Sequence, residues 1–473
     1  MSSYGTLSGT VVKCSRTLLA VKLSLGFRKE RGRGTEALKY IKNRIRYYIS
    51  HYSLYGKALG KWLIVSVIIG VLCGLLGSAF HIGVGLATDF RLTHPWVIFT
   101  LPAAGLLIVA IYRFLHTEGQ GTNDVINEVQ AGHGLPLNLL PSIFLATILT
   151  HLAGGSAGRE GAALQMGGTI GYSVGRRLHL DDRDMRTVTM VGMAAFFSAL
   201  FGTPLAATIF AMAVISVGLI YYAAFIPCMV ASMTAYGISL VLGVEPTRFS
   251  ISAPEVTVLM LLKVAVLAAL CAFVSILFCS ALHHMEDFFG TRLPNPWLRI
   301  LVGAAVLLIL SLVFSSGRYN GAGMDVITAA VEKGQVYGWD FLLKILFTAV
   351  TLGAGYKGGE VVPSFYIGAT FGCFVGPFIG IPSGFAASVG LVAVFCGVVN
   401  CPIASVFLSV ELFGAQGLLF FALACGLSYV LSGYSGLYSS QRILYDKLKA
   451  QYIDVHTNAH HEGQETEMGK KYR

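Results

Sequence analysis

Arg159 and Glu160 stand side by side between Gly158 and Gly161, within SAGREGAALQMGGTIGY (Ser156 to Tyr172), a stretch otherwise dominated by glycine and apolar residues. An ionised carboxylate at membrane depth costs roughly 2.5 to 3.5 kcal/mol, which marks Glu160 as a candidate functional group. At a helix start it would sit where unpaired N–H groups and the positive end of the dipole attract anions. Its carboxylate would then imitate a bound anion. Ionised, it fills the site; protonated, it is neutral and free to leave, so one residue supplies both a gate and a proton carrier. The plainer alternative is a carboxylate that compensates its own helix dipole, paired with Arg159. For Glu360 the plainer alternative is a helix cap or a group facing a water-filled vestibule, and Glu411 in FLSVELFG reads as a structural intramembrane partner.

Anion chemistry of this kind needs several helix starts aimed at one point. Glycines at Gly119 to Gly121, Gly158 to Gly161 and Gly358 to Gly359 let backbone approach a small ligand. Thr203 before Pro204 and Cys401 before Pro402 are further helix starts, since proline fits the first helical position. Broken helices converging near the midplane make an anion site; a cation site would use carbonyls and helix C-termini.

These starts recur. GQGTNDVI, ending at Ile126, is echoed by NGAGMDVI, ending at Ile327; GREGAALQMGGTIG from Gly158 by GGEVVPSFYIGATFG from Gly358; FGTPLAATIF from Phe201 by VNCPIASVF from Val399. Three ordered pairs at one offset of about 200 residues indicate a duplication, and short broken helices favour an inverted pair of halves. The boundary falls in the polar linker GVEPTRFSISAP. The expected organisation is a basic cytoplasmic segment at 1–57, membrane repeats at 58–245 and 246–435, and a cytoplasmic C-terminal helix and tail at 436–473.

The elements that carry these motifs are membrane helices. Hydrophobic residues make up 55% of the 473 and charged residues only 12%, where a soluble globule carries about a quarter charged. Apolar runs at 61–87, 95–114, 139–153, 186–243, 257–283, 298–314, 340–354, 364–380 and 386–432 give an all-α polytopic membrane protein of tilted and broken helices. The net charge of +10 does not point to nucleic acid, because Lys and Arg cluster before the first span and after the last. That distribution places both termini in the cytoplasm. Glu36 to Tyr52 reads as an amphipathic surface helix, and the apolar stretch at 17–26, interrupted by Lys22, lacks the features of a cleavable signal.

Nine cysteines (Cys14, Cys73, Cys228, Cys271, Cys279, Cys373, Cys396, Cys401 and Cys425) have no metal-ligand spacing and read as small hydrophobes. His456, His460 and His461 read as a solvated tail, so neither a metal nor a cofactor is expected. An intramembrane enzyme built on Glu160, His151 and Ser156 is the rival class, but HExxH and paired-Asp spacings are absent.

Over about residues 60 to 445 the chain resembles the CLC family of chloride channels and anion/proton antiporters, of the bacterial type without cytoplasmic CBS domains. GREGA at 158 to 162 is similar to the family's GREGP, GGEVVP at 358 to 363 to its GGxFxP, GQGTND at 119 to 124 to its GSGIPE, and Tyr438 in GLYSS to its tyrosine at the start of the last helix. The resemblance implies a homodimer in the plasma membrane with one anion pathway per subunit. It makes Glu160 the gate and Gln120, Gly161, Glu360, Val361 and Tyr438 the positions around the anion. The chain departs from the family at Gln120, where a coordinating serine is usual, and at Val361, where phenylalanine is usual. Ala213 and Val214 stand where similar antiporters carry an inner proton-transfer glutamate. The expected cargo is a small halide, chloride by a channel or by proton antiport. Fluoride/proton antiport is the alternative, since the fluoride-exporting branch also departs from that serine and Glu360 offers a second proton group.

Overall fold

Backbone N–H and C=O groups in hydrocarbon have no water to bond, so apolar runs of this chain must satisfy them within helices. A computed structural model describes residues 33–132, 134–314, 317–449 and 451–458. The helices are α1 (Arg33–Thr93), α2 (Leu101–Phe114), α3 (Thr122–Ala131), α4 (Leu139–Ala153), α5 (Glu160–Arg177), α6 (Asp182–Phe201), α7 (Pro204–Ala213) and α8 (Phe225–Val241). The second half adds α9 (Val258–Arg292), α10 (Pro296–Val313), α11 (Met324–Thr328), α12 (Asp340–Gly353), α13 (Val361–Ile379), α14 (Ser383–Val399), α15 (Pro402–Phe413) and α16 (Leu418–Leu431). Among the described residues six helical stretches are long and apolar enough to cross a membrane, and five more are apolar but shorter. This is the polytopic α-fold expected. Cys14, the 17–26 stretch, His460 and His461 lie outside the described residues.

The chain divides into two compact units, Met1–Trp62 and Leu63–Arg473. In the first, the described part is the start of α1, with Tyr40, Ile45, Ile49 and Tyr52 exposed. Residues 36–52 are therefore helical, within a helix that has no break at the 57/58 boundary.

Within the second unit the duplication is visible in hydrogen bonds. Gly158 and Gly359, 201 positions apart, form an antiparallel bridge, N to O at 2.7 and 2.8 Å. Ser156 N–H donates to Thr351 Oγ1 at 3.0 Å, and Lys357 N–H donates to Thr150 Oγ1 at 3.3 Å, the same pair with the halves exchanged. Reciprocal bonds between equivalent residues describe a local two-fold rotation passing between Gly158 and Gly359. They also correct the register by one residue: Glu160 corresponds to Val361, each the first residue of its helix, and Glu360 to Arg159.

Each half has one tightly apposed helix pair. A Cβ on Gly167 of α5 would meet Gly192 O of α6, and one on Gly368 of α13 would meet Gly390 O of α14, so only glycine allows these backbones to touch. α6 is buried from Val188 to Phe201 and α14 from Phe385 to Val399, which fixes the starts of α5 and α13 against each other.

The C-terminal segment differs from expectation. It is a hairpin, β2 (Arg442–Tyr445) and β3 (Tyr452–His456), with β2 pairing in parallel to β1 (Ser216–Val217). Asp446 ends any helix here, because its side chain accepts from the N–H groups of Leu448 and Lys449 at 2.8 and 2.7 Å and turns the chain. The β-branched and aromatic residues on either side then pair, with Ile443 fully buried.

Candidate functional site

Glu160 opens α5 with none of its surface exposed. Its Oε2 accepts from Val362 N–H, in the first turn of α13, at 3.0 Å, while Oε1 has no hydrogen-bond partner. The carboxylate of one half thus occupies the N-terminal donor of the other. A free anion would seek the same place, because the first N–H groups of a helix have no intrahelical acceptor. The donor is Val362, one residue beyond Val361. Gly161 faces the same junction: a Cβ there would meet Gly358 O at 3.1 Å and Thr122 Oγ1 at 3.2 Å.

Arg159 does not pair with Glu160 among the described residues. Its Nη1 lies 3.1 Å from His81 Nδ1 and its guanidinium 5.7 Å from the Phe201 ring centroid. Glu360 caps α13, with Oε2 buried and unpartnered, and lies within electrostatic reach of Glu160 and Lys357. Tyr438 is 2% exposed, its hydroxyl has no partner, and both Glu360 and Glu160 act on it electrostatically. These groups, Glu160, Gly161, Glu360, Val361 and Tyr438, are brought together. Gln120 is not joined to them by any hydrogen bond among the described residues; its N–H donates to Thr117 O at 3.2 Å and its Oε1 is buried without a partner.

Several residues that position the site were not singled out from sequence. Thr122, at the start of α3, receives a bond from Gln165 Nε2 of α5 at 3.2 Å, and Gln165 Oε1 is left unpartnered beside it. Asn123 Oδ1 accepts from Ser440 N–H at 3.1 Å, and Gln441 Nε2 donates to Val214 O and Val399 O at 2.9 and 3.0 Å. Together they clamp the loop that carries Tyr438. A glutamine inside an apolar helix was a legible signal for Gln165; the loop contacts had none. Glu411 is structural as expected, accepting from Leu205 and Ala206 N–H at 2.9 and 2.8 Å at the start of α7.

The enzyme constellation is not assembled. Ser156 Oγ bonds Thr348 Oγ1 at 3.0 Å and His151 Nδ1 bonds Thr147 O at 2.9 Å, so no nucleophile and base are paired. Among the described residues no group of three or more His, Cys, Asp or Glu is placed to hold a metal, and eight cysteines are buried and free.

Two antiparallel helix starts, stitched through glycines, thus face one buried carboxylate. Residues 103–433 match the family described as voltage gated chloride channel, and the chain belongs to this CLC family of anion channels and transporters. It is 36% identical over 400 residues to the chloride/fluoride channel protein of Pseudomonas syringae pv. tomato, covering 82% of this chain and 88% of that protein. It is 26% identical over 390 residues to the H(+)/Cl(-) exchange transporter ClcA of Vibrio cholerae, covering 74% and 81%. Among solved structures, a CLC-type fluoride/proton antiporter superposes with a TM-score of 0.79 at 35% identity, covering 81% of this chain and 98% of that one.

Proposed function

We propose that the chain carries a small halide across the cell membrane, as a homodimer with both termini cytoplasmic, and that Glu160 is the gate of each pathway. One observation carries this reading: the buried Glu160 carboxylate sits on the Val362 N–H at the start of α13, where an anion would bind. Protonation removes its charge and weakens that bond, which frees the donor for the ion. The family of the chain, one of channels and transporters, supports transport.

A second reading, fluoride/proton antiport, is supported by Glu360. Its unpartnered Oε2 beside Glu160 offers a second proton group in a chain where Ala213 and Val214 leave the usual inner position apolar. The relatives that match at 36% and 35% identity, a chloride/fluoride channel protein and a fluoride/proton antiporter, favour the same ion. Purified protein in liposomes, assayed with chloride, nitrate and fluoride while external pH is recorded, tests both. Halide flux with opposing proton movement, largest for fluoride, is the expected result. No anion flux from a folded protein across pH 4 to 9, roughly the range over which a carboxylate in such a site titrates, would overturn the reading.

A further inference from the structure

The loop that leads into α13 also borders a separate cavity of about 250 Å³, lined by Tyr112 of α2, Glu118 of the following loop, Pro294, Arg299 of α10, Gly355 and Lys357. Three hydrogen-bond donors meet there. The Tyr112 hydroxyl, on a residue only 5% exposed, has no partner, and neither does the buried Arg299 Nε. Lys357 Nζ stands 4.7 Å from the Tyr112 ring centroid. An ammonium and a guanidinium have no lone pair to offer each other or the phenol, so the complement of this lining is an acceptor carrying negative charge. The Glu118 carboxylate also borders the cavity, and Glu286, Glu360 and Asp124 act on Lys357 from around it, so repulsion from these carboxylates admits at most one further negative charge, held by direct contact with the three donors. The volume lies below the roughly 300 Å³ at which drug-sized ligand pockets begin, and suits a small ion with a few waters.

We propose that this cavity is a second anion site, which takes a small monovalent anion between Lys357, Tyr112 and Arg299, one loop away from Glu360. It is separate from the Glu160 gate and does not depend on whether that gate is coupled to protons. The plainer alternative is a water-filled space in which Lys357 rests on the Tyr112 ring.

Tyr112→Phe separates the two, because it removes the hydroxyl and keeps the ring. With no partner to lose, a purely structural Tyr112 predicts unchanged or higher stability and unchanged anion binding. A binding Tyr112 predicts about tenfold weaker anion affinity at the cavity, the effect of one hydrogen bond to a charged ligand. Bromide is the probe, since an open guanidinium and ammonium set no tight size limit. Crystals of the full chain grown in bromide, measured at the bromine absorption edge, should show a peak within about 3.5 Å of Lys357 Nζ and the Tyr112 hydroxyl, a hydrogen-bonding distance. The peak should fade in Tyr112→Phe, and the anion KM for transport should rise while the unfolding midpoint does not fall. A wild-type cavity holding only water overturns the proposal whether or not the variant folds, and so does a peak unchanged in Tyr112→Phe. A cavity peak without one beside Glu160 would support the second site and agree with a closed gate, whose ionised carboxylate already occupies the Val362 N–H.

Discussion

A methyl group on Gly359 would land 2.6 Å from the backbone nitrogens of Glu160 and Gly161 and 2.8 Å from Glu160 Oε2. None of the backbone can yield without moving α5, so Gly359→Ala must pry the two helix starts apart. The Gly158–Gly359 pair, at 2.7 and 2.8 Å, would be lost, and with it the Val362 N–H bond to Glu160 at 3.0 Å. Two backbone bonds at ~1 kcal/mol each and one bond to a carboxylate at ~1.5 to 3 give a loss of roughly 3.5 to 5 kcal/mol. Reversible unfolding in mixed micelles should show a loss of that size, and anion flux in liposomes should fall at least about tenfold, the scale of 1.4 kcal/mol at the site. Gly237→Ala in α8, where a Cβ meets nothing within 4 Å, is the control and should be neutral or slightly stabilising. If Gly359→Ala matches the control in both assays, the two helix starts are not held together as described.

Glu411→Gln should lower stability by about 1 to 3 kcal/mol in the same unfolding assay, because an amide can accept from only one of the two N–H groups at the start of α7. Glu360→Gln should reduce protons moved per anion while leaving anion flux measurable by ion-selective electrode; an unchanged ratio would reduce Glu360 to a helix cap. Asp446 is held below the ordinary carboxylate range by the Tyr434 hydroxyl, then by the N–H groups of Leu448 and Lys449. A depressed folded-state pKa contributes stability that is present above the ordinary value of 3.8 and is lost as pH falls through the folded value. Amide protection factors at Leu448 and Lys449 should therefore drop below pH 3.8 and stay flat above it.

The pathway's halves were legible because a helix start in a membrane needs glycine, proline or a small polar residue, and those punctuate the chain at a fixed offset. The register was not: GREG and GGEV align by their glycines at Gly158 and Gly358, whereas the bridge pairs Gly158 with Gly359. Backbone hydrogen bonding, not side-chain identity, sets that choice. Thr122 and Gln165 meet across 43 residues, a contact with no local signature. The hairpin was misread because its strands are satisfied by a partner far away, Ser216–Val217, and by a turn that Asp446 makes with its own backbone neighbours. Tyr112, Arg299 and Lys357 come from three separate elements, and no spacing in the chain points to the cavity they share.

The gate itself is tested most directly by anion flux as a function of pH in wild type and Glu160→Gln, with protons recorded simultaneously. Wild-type flux should rise as pH falls, since protonation releases the carboxylate from the Val362 N–H. Glu160→Gln should pass anions at every pH and move no protons. A variant that keeps the wild-type pH dependence, or still moves protons with the anion, would contradict the assignment of Glu160 as the gate.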